Sequence, residues 1–268
     1  MLAIRAQLTA SNRAGRVEAL DGLLSRASHD DEEARQLLRE IVMNYRDFDS
    51  EIYGRALNQV WAFGDERLAE SLFAALADAD YGCQMWAATA CGRLGIHAAE
   101  PLLIQLLEHP EGLVRESACD ALGRIASSAA IDALTRRLDD PAEFVRAAAS
   151  KALANVGTDD AVDTLWAAFL VRRYRRAGHL ASALAQLGPR VCQRLVEATA
   201  HEDPEIRYWA ARALGATGDD RAEPVLTRLA ARDHATTATG AHVSTAAKRG
   251  LKTLHRMRDR HPASERTA

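Results

Sequence analysis

At 268 residues the chain is longer than an average single domain, and its formal net charge of −3 hides an uneven distribution: residues 1–171 carry 16 Lys or Arg against 27 Asp or Glu, residues 172–268 carry 18 against 10. No apolar run is long enough to span a bilayer, and Arg5, Arg13 and Arg16 interrupt the amino terminus, so a cytoplasmic protein with no membrane partner is expected. The four cysteines include no CxxC pair, and Cys83, Cys91 and Cys192 occupy phases filled elsewhere by apolar residues, which points to small core residues instead of a disulfide framework.

Residues 1–48 read as a cap and first helices, with a polar capping helix near Val17 to Ser25. From residue 49 to 233 the chain repeats. Gly64, Gly95, Gly157 and Gly188 fall on one ruler of 31 residues, Ala126 takes the one interrupted mark, and a step of 30 then leads to Gly218. Ala56, Ala87, Ala118 and Ala149 share one phase of this ruler; Val60, Cys91, Leu122, Leu153 and Leu184 share another, four residues on. A small residue followed four positions later by a large apolar one marks a buried helical face. After each glycine a second helix follows, its columns set by Leu68, Ala99, Ala130, Ala161, Cys192 and Ala222, and by Leu72, Leu103, Leu134, Leu165, Val196 and Leu226. The glycines sit where a left-handed residue closes a helix, and Pro110, Pro141 and Pro204 where the next helix starts. No stretch alternates as a strand does.

Several side chains stand out along this array. Trp86 and Trp209 share a phase, flanked by Met85 and Tyr208, and read either as binding anchors or as filler at the edge of the core. Arg172, Arg173, Tyr174, Arg175 and Arg176 displace the Asp-Pro and Val-Arg of sister repeats; four guanidiniums around an aromatic suit phosphates or an acidic protein, and equally a solvated loop. His234 to His242 breaks the ruler as a loop insertion. A basic capping helix with Lys248, Arg249, Lys252, Arg256 and Arg258 follows to residue 260, and 261–268 form a frayed tail.

The run Asp140-Pro141-Ala142-Glu143-Phe144-Val145-Arg146 with Ala149, Leu153 and Gly157, together with the parallel runs 110–126 and 203–218, resembles the HEAT-repeat family, in particular its short bacterial repeats of the phycobilin-lyase type. The resemblance implies an all-α, right-handed α-solenoid of about seven helix pairs. It also implies that the Val-Arg helices line a concave surface, and that Arg115, Arg146 and Arg207 form a ladder with Asp140, Asp203 and Glu108. Tyr53, Gln84 and Ala177 replace the ladder arginine in the other repeats.

Catalytic signatures are absent. The chain has no HExxH, no glycine loop ending in Gly-Lys-Ser/Thr and no GxSxG, and its single His-Glu dipeptide, His201-Glu202, does not supply the recurring pairs that a HEAT-like di-iron hydroxylase uses. The reading is therefore a non-catalytic scaffold without cofactor or metal, which binds an acidic protein through its concave face and basic last third. The alternative is a nucleic-acid-binding relative, including an alkylpurine glycosylase built on Asp120 with Arg93 and Arg124; a bilin lyase-like chaperone is a third reading.

Overall fold

The computed structural model describes residues 2–10, 12–61, 68–171 and 178–260, and these form helices joined by short turns. The chain divides into two compact units, residues 1–133 and 134–268.

The first unit opens with α1 (Leu2–Leu8), α2 (Arg13–Ser28) and α3 (Glu32–Met43). Asn12 and Asp31 start α2 and α3 by accepting hydrogen bonds from Ala14 N and Ala34 N, each at 3.1 Å. The expected polar cap is less polar than its composition suggests. α2 buries Leu20, Leu23 and Ala27, and α1, packed against it, buries Leu8.

Helix pairs follow in both units. The first unit continues with α4 (Ser50–Trp61), α5 (Leu68–Leu76), α6 (Tyr81–Leu94), α7 (Glu100–Leu106) and α8 (Gly112–Arg124), and α9 (Ile131–Arg137) falls on the division. The second unit contains α10 (Glu143–Val156), α11 (Asp159–Leu170), α12 (Gly178–Gln186), α13 (Cys192–Ala198), α14 (Pro204–Ala216), α15 (Ala222–Arg232) and α16 (Val243–Arg260). α4, α6 and α8 pack on one another in the first unit, and α10, α12, α14 and α16 in the second, while the alternate helices touch one another far less. All-α architecture in stacked pairs is what the repeat demands, because no pair buries its apolar face alone.

The columns are the core. Ala56, Ala87, Ala118 and Ala149, then Val60, Cys91, Leu122, Leu153, Leu184 and Leu214, are fully buried, as are Leu72, Leu103, Leu134, Leu165 and Leu226. One column shifts: in α13 the buried residue is Leu195, and Val196 is half-exposed. The helix starts also differ from expectation. Pro204 opens α14, whereas Pro110 and Pro141 lie in the turns, two residues before α8 and α10 begin.

Left-handed closure is kept at every described mark of the ruler: Gly95, Gly157, Gly188 and Gly218 have φ between 60° and 71°, and Ala126 adopts the same conformation at φ 53°. Between α14 and α16 the backbones themselves meet. A Cβ on Gly215 would lie 2.3 Å from Gly250 Cα.

The segment predicted as a loop insertion is ordered by its own hydrogen bonds. Thr237 N donates to Ala241 O (2.9 Å), Val243 N to Ala235 O (3.0 Å) and Ser244 N to Asp233 O (2.9 Å), so a tight hairpin-like loop feeds α16 onto α14 and α15.

Candidate recognition surface

Arg115, Arg146 and Arg207 do one job at three levels. Each points Nη1 at two carbonyls of its own preceding turn: Arg115 to His109 O and Pro110 O (both 2.7 Å), Arg146 to Asp140 O and Pro141 O (2.6 and 3.1 Å), Arg207 to His201 O and Glu202 O (2.8 and 2.9 Å). Carbonyls that the ended helix and its turn leave unpaired are thereby satisfied by a charged donor. Arg207 also reaches the next turn, where Nε and Nη2 meet the Asp233 carboxylate at 2.7 and 3.4 Å. Burial raises the Asp233 carboxyl's pKa, but the Arg207 and Ala235 N–H bonds outweigh it and leave the group below its ordinary value. Asp140 and Asp203 also bond within their own turns: Asp140 accepts from Ala142 N at 3.0 Å, and Asp203 caps α14 by accepting from Glu205 N at 3.0 Å.

The helices of the first unit that precede α8 solve the same problem differently. At the ladder position of α4, Tyr53 is fully buried, and its hydroxyl has no hydrogen-bond partner among the described residues. In α6, Gln84 Nε2 donates to Leu76 O at 3.4 Å. The turn is held instead by Asp78, which accepts from Asp80 N (3.0 Å), Tyr45 Oη (2.8 Å) and Arg46 Nε (2.9 Å); these bonds lower its pKa to about 2. Burial pushes the Cys83 and Cys91 thiols up to about 12, which makes them inert core residues.

The two tryptophans are placed alike. The Trp86 indole lies over Gly54 of α4, where a Cβ would come within 2.3 Å of it; the Trp209 indole lies over Gly178 of α12, where a Cβ would come within 2.9 Å. Both rings remain half-exposed. Trp209 is further fixed by its Nε1 donating to Glu205 Oε1 at 2.9 Å, and by Tyr208, whose ring stands edge-on at 5.0 Å. Tyr208 itself is only 8% exposed, so it braces the indole and offers no face to solvent. The glycines under these rings were missed in the sequence, although each stands about one repeat before its tryptophan and was readable there.

Charge is organised by unit. From Arg5 to Arg55 the described arginines of the first unit are matched to carboxylates, as in Arg13 with Glu51 and Arg16 with Asp49, both at 2.9 Å. In the second unit Arg212, Arg228 and Arg232 are exposed and without an ion pair among the described residues. The same holds for Lys248, Arg249, Lys252 and Arg256 of α16. Arg258, by contrast, is bound to Asp220 and Glu223 at 2.8 and 2.5 Å, which fastens the helix to α15. Arg172, Arg173, Tyr174, Arg175 and Arg176 lie outside the described residues. Asp120 is half-buried on α8, and Arg93 donates to Asn58 Oδ1 at 2.8 Å. No helix of the described residues is long and apolar enough to cross a membrane.

Known proteins share this architecture. The family model for HEAT repeats matches residues 99–178 and 175–245, and that for the PBS lyase HEAT-like repeat matches 84–109. Among solved structures, an engineered protein is 20% identical at a TM-score of 0.52, over 94% of this chain and 77% of its own. The Escherichia coli protein YibA is 18% identical at 0.52, over 95% and 92%. The complex of CpcE and CpcF of phycocyanin lyase from Nostoc is 23% identical at 0.41, over 96% and 91%. These are likenesses of fold. No curated protein matches the chain. With matched repeats over more than half of its length, and a helix closed by left-handed Gly95 just before them, the chain belongs to the HEAT-repeat family.

Proposed function

We propose that this repeat scaffold binds an acidic protein partner through the basic last third of the chain, with no chemistry of its own. The observation that carries this reading is the set of exposed cations from Arg212 to Arg256 that the fold leaves without carboxylates, close in sequence to the half-exposed indole of Trp209. Unpaired cations draw an acidic surface in and select against basic ones, while a rigid aromatic supplies desolvated contact area. On the strength of the sequence alone, Arg172, Arg173, Tyr174, Arg175 and Arg176 extend the same basic region. Trp86 offers a second indole of the same geometry in the first unit.

The test is affinity capture from the native host, with the parent chain beside a variant carrying Arg212→Glu, Lys252→Glu and Arg256→Glu. A partner retained by the parent after nuclease treatment and lost by the variant supports the reading. An identical set on both would overturn it. Retention that disappears with nuclease would transfer the site to nucleic acid, whose binding also falls steeply with salt.

A further inference from the structure

Within the second unit, the turn Ala200–Glu202 and the end of α15 enclose a depression of about 500 Å³. Arg207, Arg228 and Arg232 line it together with His201, Glu202 and Asp233, and Ala200 and Leu229 contribute apolar wall. We propose that this depression is a carboxylate-binding pocket, which receives an acidic side chain or a chain-terminal carboxylate of the partner; the proposal rests on the scaffold reading above.

The pocket's charges divide into spent and unspent. Arg207 is fully committed, to the carbonyls of His201 and Glu202 and to the carboxylate of Asp233, so it forms a rigid wall and cancels Asp233. Arg228 and Arg232 stand one helical turn apart on α15, exposed and without an ion pair among the described residues. Their guanidiniums are forked donors suited to the two oxygens of a carboxylate. His201 accepts a hydrogen bond from Asp203 N on its Nδ1 at 3.0 Å, which makes Nδ1 the bare nitrogen and leaves the ring proton on Nε2, a further donor.

Counting the lining groups decides the class of ligand. Three guanidiniums against the carboxylates of Glu202 and Asp233 leave a single positive charge. A monoanion neutralises that balance, whereas a phosphate dianion would overshoot it and face Glu202. The volume exceeds what one carboxylate needs, and Ala200 and Leu229 give the methylenes of its stem an apolar wall.

Fluorescence anisotropy at low salt tests this with three labelled probes: a Glu-rich peptide with a free carboxyl terminus, the same peptide amidated, and its Gln counterpart. The parent should bind the first and ignore the third, whose terminus is also amidated; loss of binding on amidation of the Glu-rich peptide identifies the terminal carboxylate as the source, and equal binding identifies side chains. Arg228→Ala with Arg232→Ala should weaken the Glu-rich probe roughly tenfold or more, while Arg13→Ala, an exposed arginine of the first unit, should leave it within about twofold. The pocket is overturned if Arg13→Ala costs as much as the pocket pair, or if the pocket pair costs nothing while Lys252→Ala with Arg256→Ala abolishes binding; the second result leaves the scaffold reading standing. If no acidic probe binds the parent, both fall. Circular dichroism of each variant, expected to match the parent because these side chains are exposed, separates lost binding from lost fold.

Discussion

The two units are built from one repeat and differ in how many cations they leave unpaired. In the first, surface arginines from Arg5 to Arg55 are answered by carboxylates of the same unit; in the second, after the ladder ends at Arg207, cations on α14, α15 and α16 are left over. Exposed ion pairs contribute only about 0–1 kcal/mol each, so neither pattern is needed for folding. Stability in both units comes from the same buried columns. The charge difference is therefore free to serve recognition, and the proposed acidic partner rests on it.

The shared core gives the largest expected effects. Leu122→Ala in the first unit and Leu153→Ala in the second each remove a fully buried side chain between stacked helices and should each cost about 2–5 kcal/mol. Urea unfolding of the two variants would measure it. A loss under about 1 kcal/mol in one unit alone would show that the two cores, alike in their columns, differ in how far they can collapse.

This is also where the sequence was most legible. A buried column repeats its residue type at fixed spacing, so Ala56, Ala87, Ala118 and Ala149 announce themselves without coordinates. The ladder arginines were visible for the same reason, but the acid that meets Arg207 was not: it is Asp233, which stands beside the loop insertion where the ruler is broken. In the first unit the substitute for the ladder is Tyr45 and Arg46 on Asp78, made from residues in a 3-10 turn that carries no periodic signal. Unpaired cations were hidden for a different reason. Composition counts charges, whereas pairing depends on which helices meet.

The tryptophan stations sharpen the comparison at the level of one atom. Changing a helical glycine to alanine ordinarily gains about 1 kcal/mol of helix propensity. At Gly54 the new Cβ would meet the Trp86 indole at 2.3 Å, and at Gly178 the Trp209 indole at 2.9 Å. Gly54→Ala should therefore lose roughly 1–2 kcal/mol net, and Gly178→Ala should stay within about 0.5 kcal/mol of the parent. Thermal melts read the stability, and a red-shifted tryptophan emission in Gly54→Ala would show Trp86 turned out to solvent. Equal effects in both units would contradict the difference in clearance.

Acid separates the two ways of holding a turn. Asp78 has its pKa lowered to about 2 by Asp80 N, Tyr45 and Arg46, so its contribution is complete above the unfolded carboxyl value near pH 4 and is lost as pH falls toward 2. Asp233 carries the same sign through Arg207. The melting temperature of Asp78→Asn should lie below the parent's at pH 6, and the gap should close between pH 4 and pH 2. A gap that stays constant down to pH 2 would mean that the Asp78 charge contributes nothing.

The smallest effect concerns the interrupted mark of the glycine ruler. Ala126 holds φ 53°, alongside Gly95 at 66° and Gly157 at 64°, so the chain accepts at one repeat a conformation that its Cβ opposes. The turn is worth that strain because Ser127 N donates to Leu122 O, a bond that needs the left-handed residue before it. Ala126→Gly removes about 1–2 kcal/mol of steric opposition and returns part of it as unfolded-chain entropy. The balance should favour the variant by roughly 0.5–1 kcal/mol, seen as a rise in the melting temperature, whereas Gly95→Ala and Gly157→Ala should each fall by a similar amount. If Ala126→Gly melts lower than the parent, the Cβ of Ala126 contributes packing that outweighs its strain, and the repeat keeps alanine there because it is the better residue.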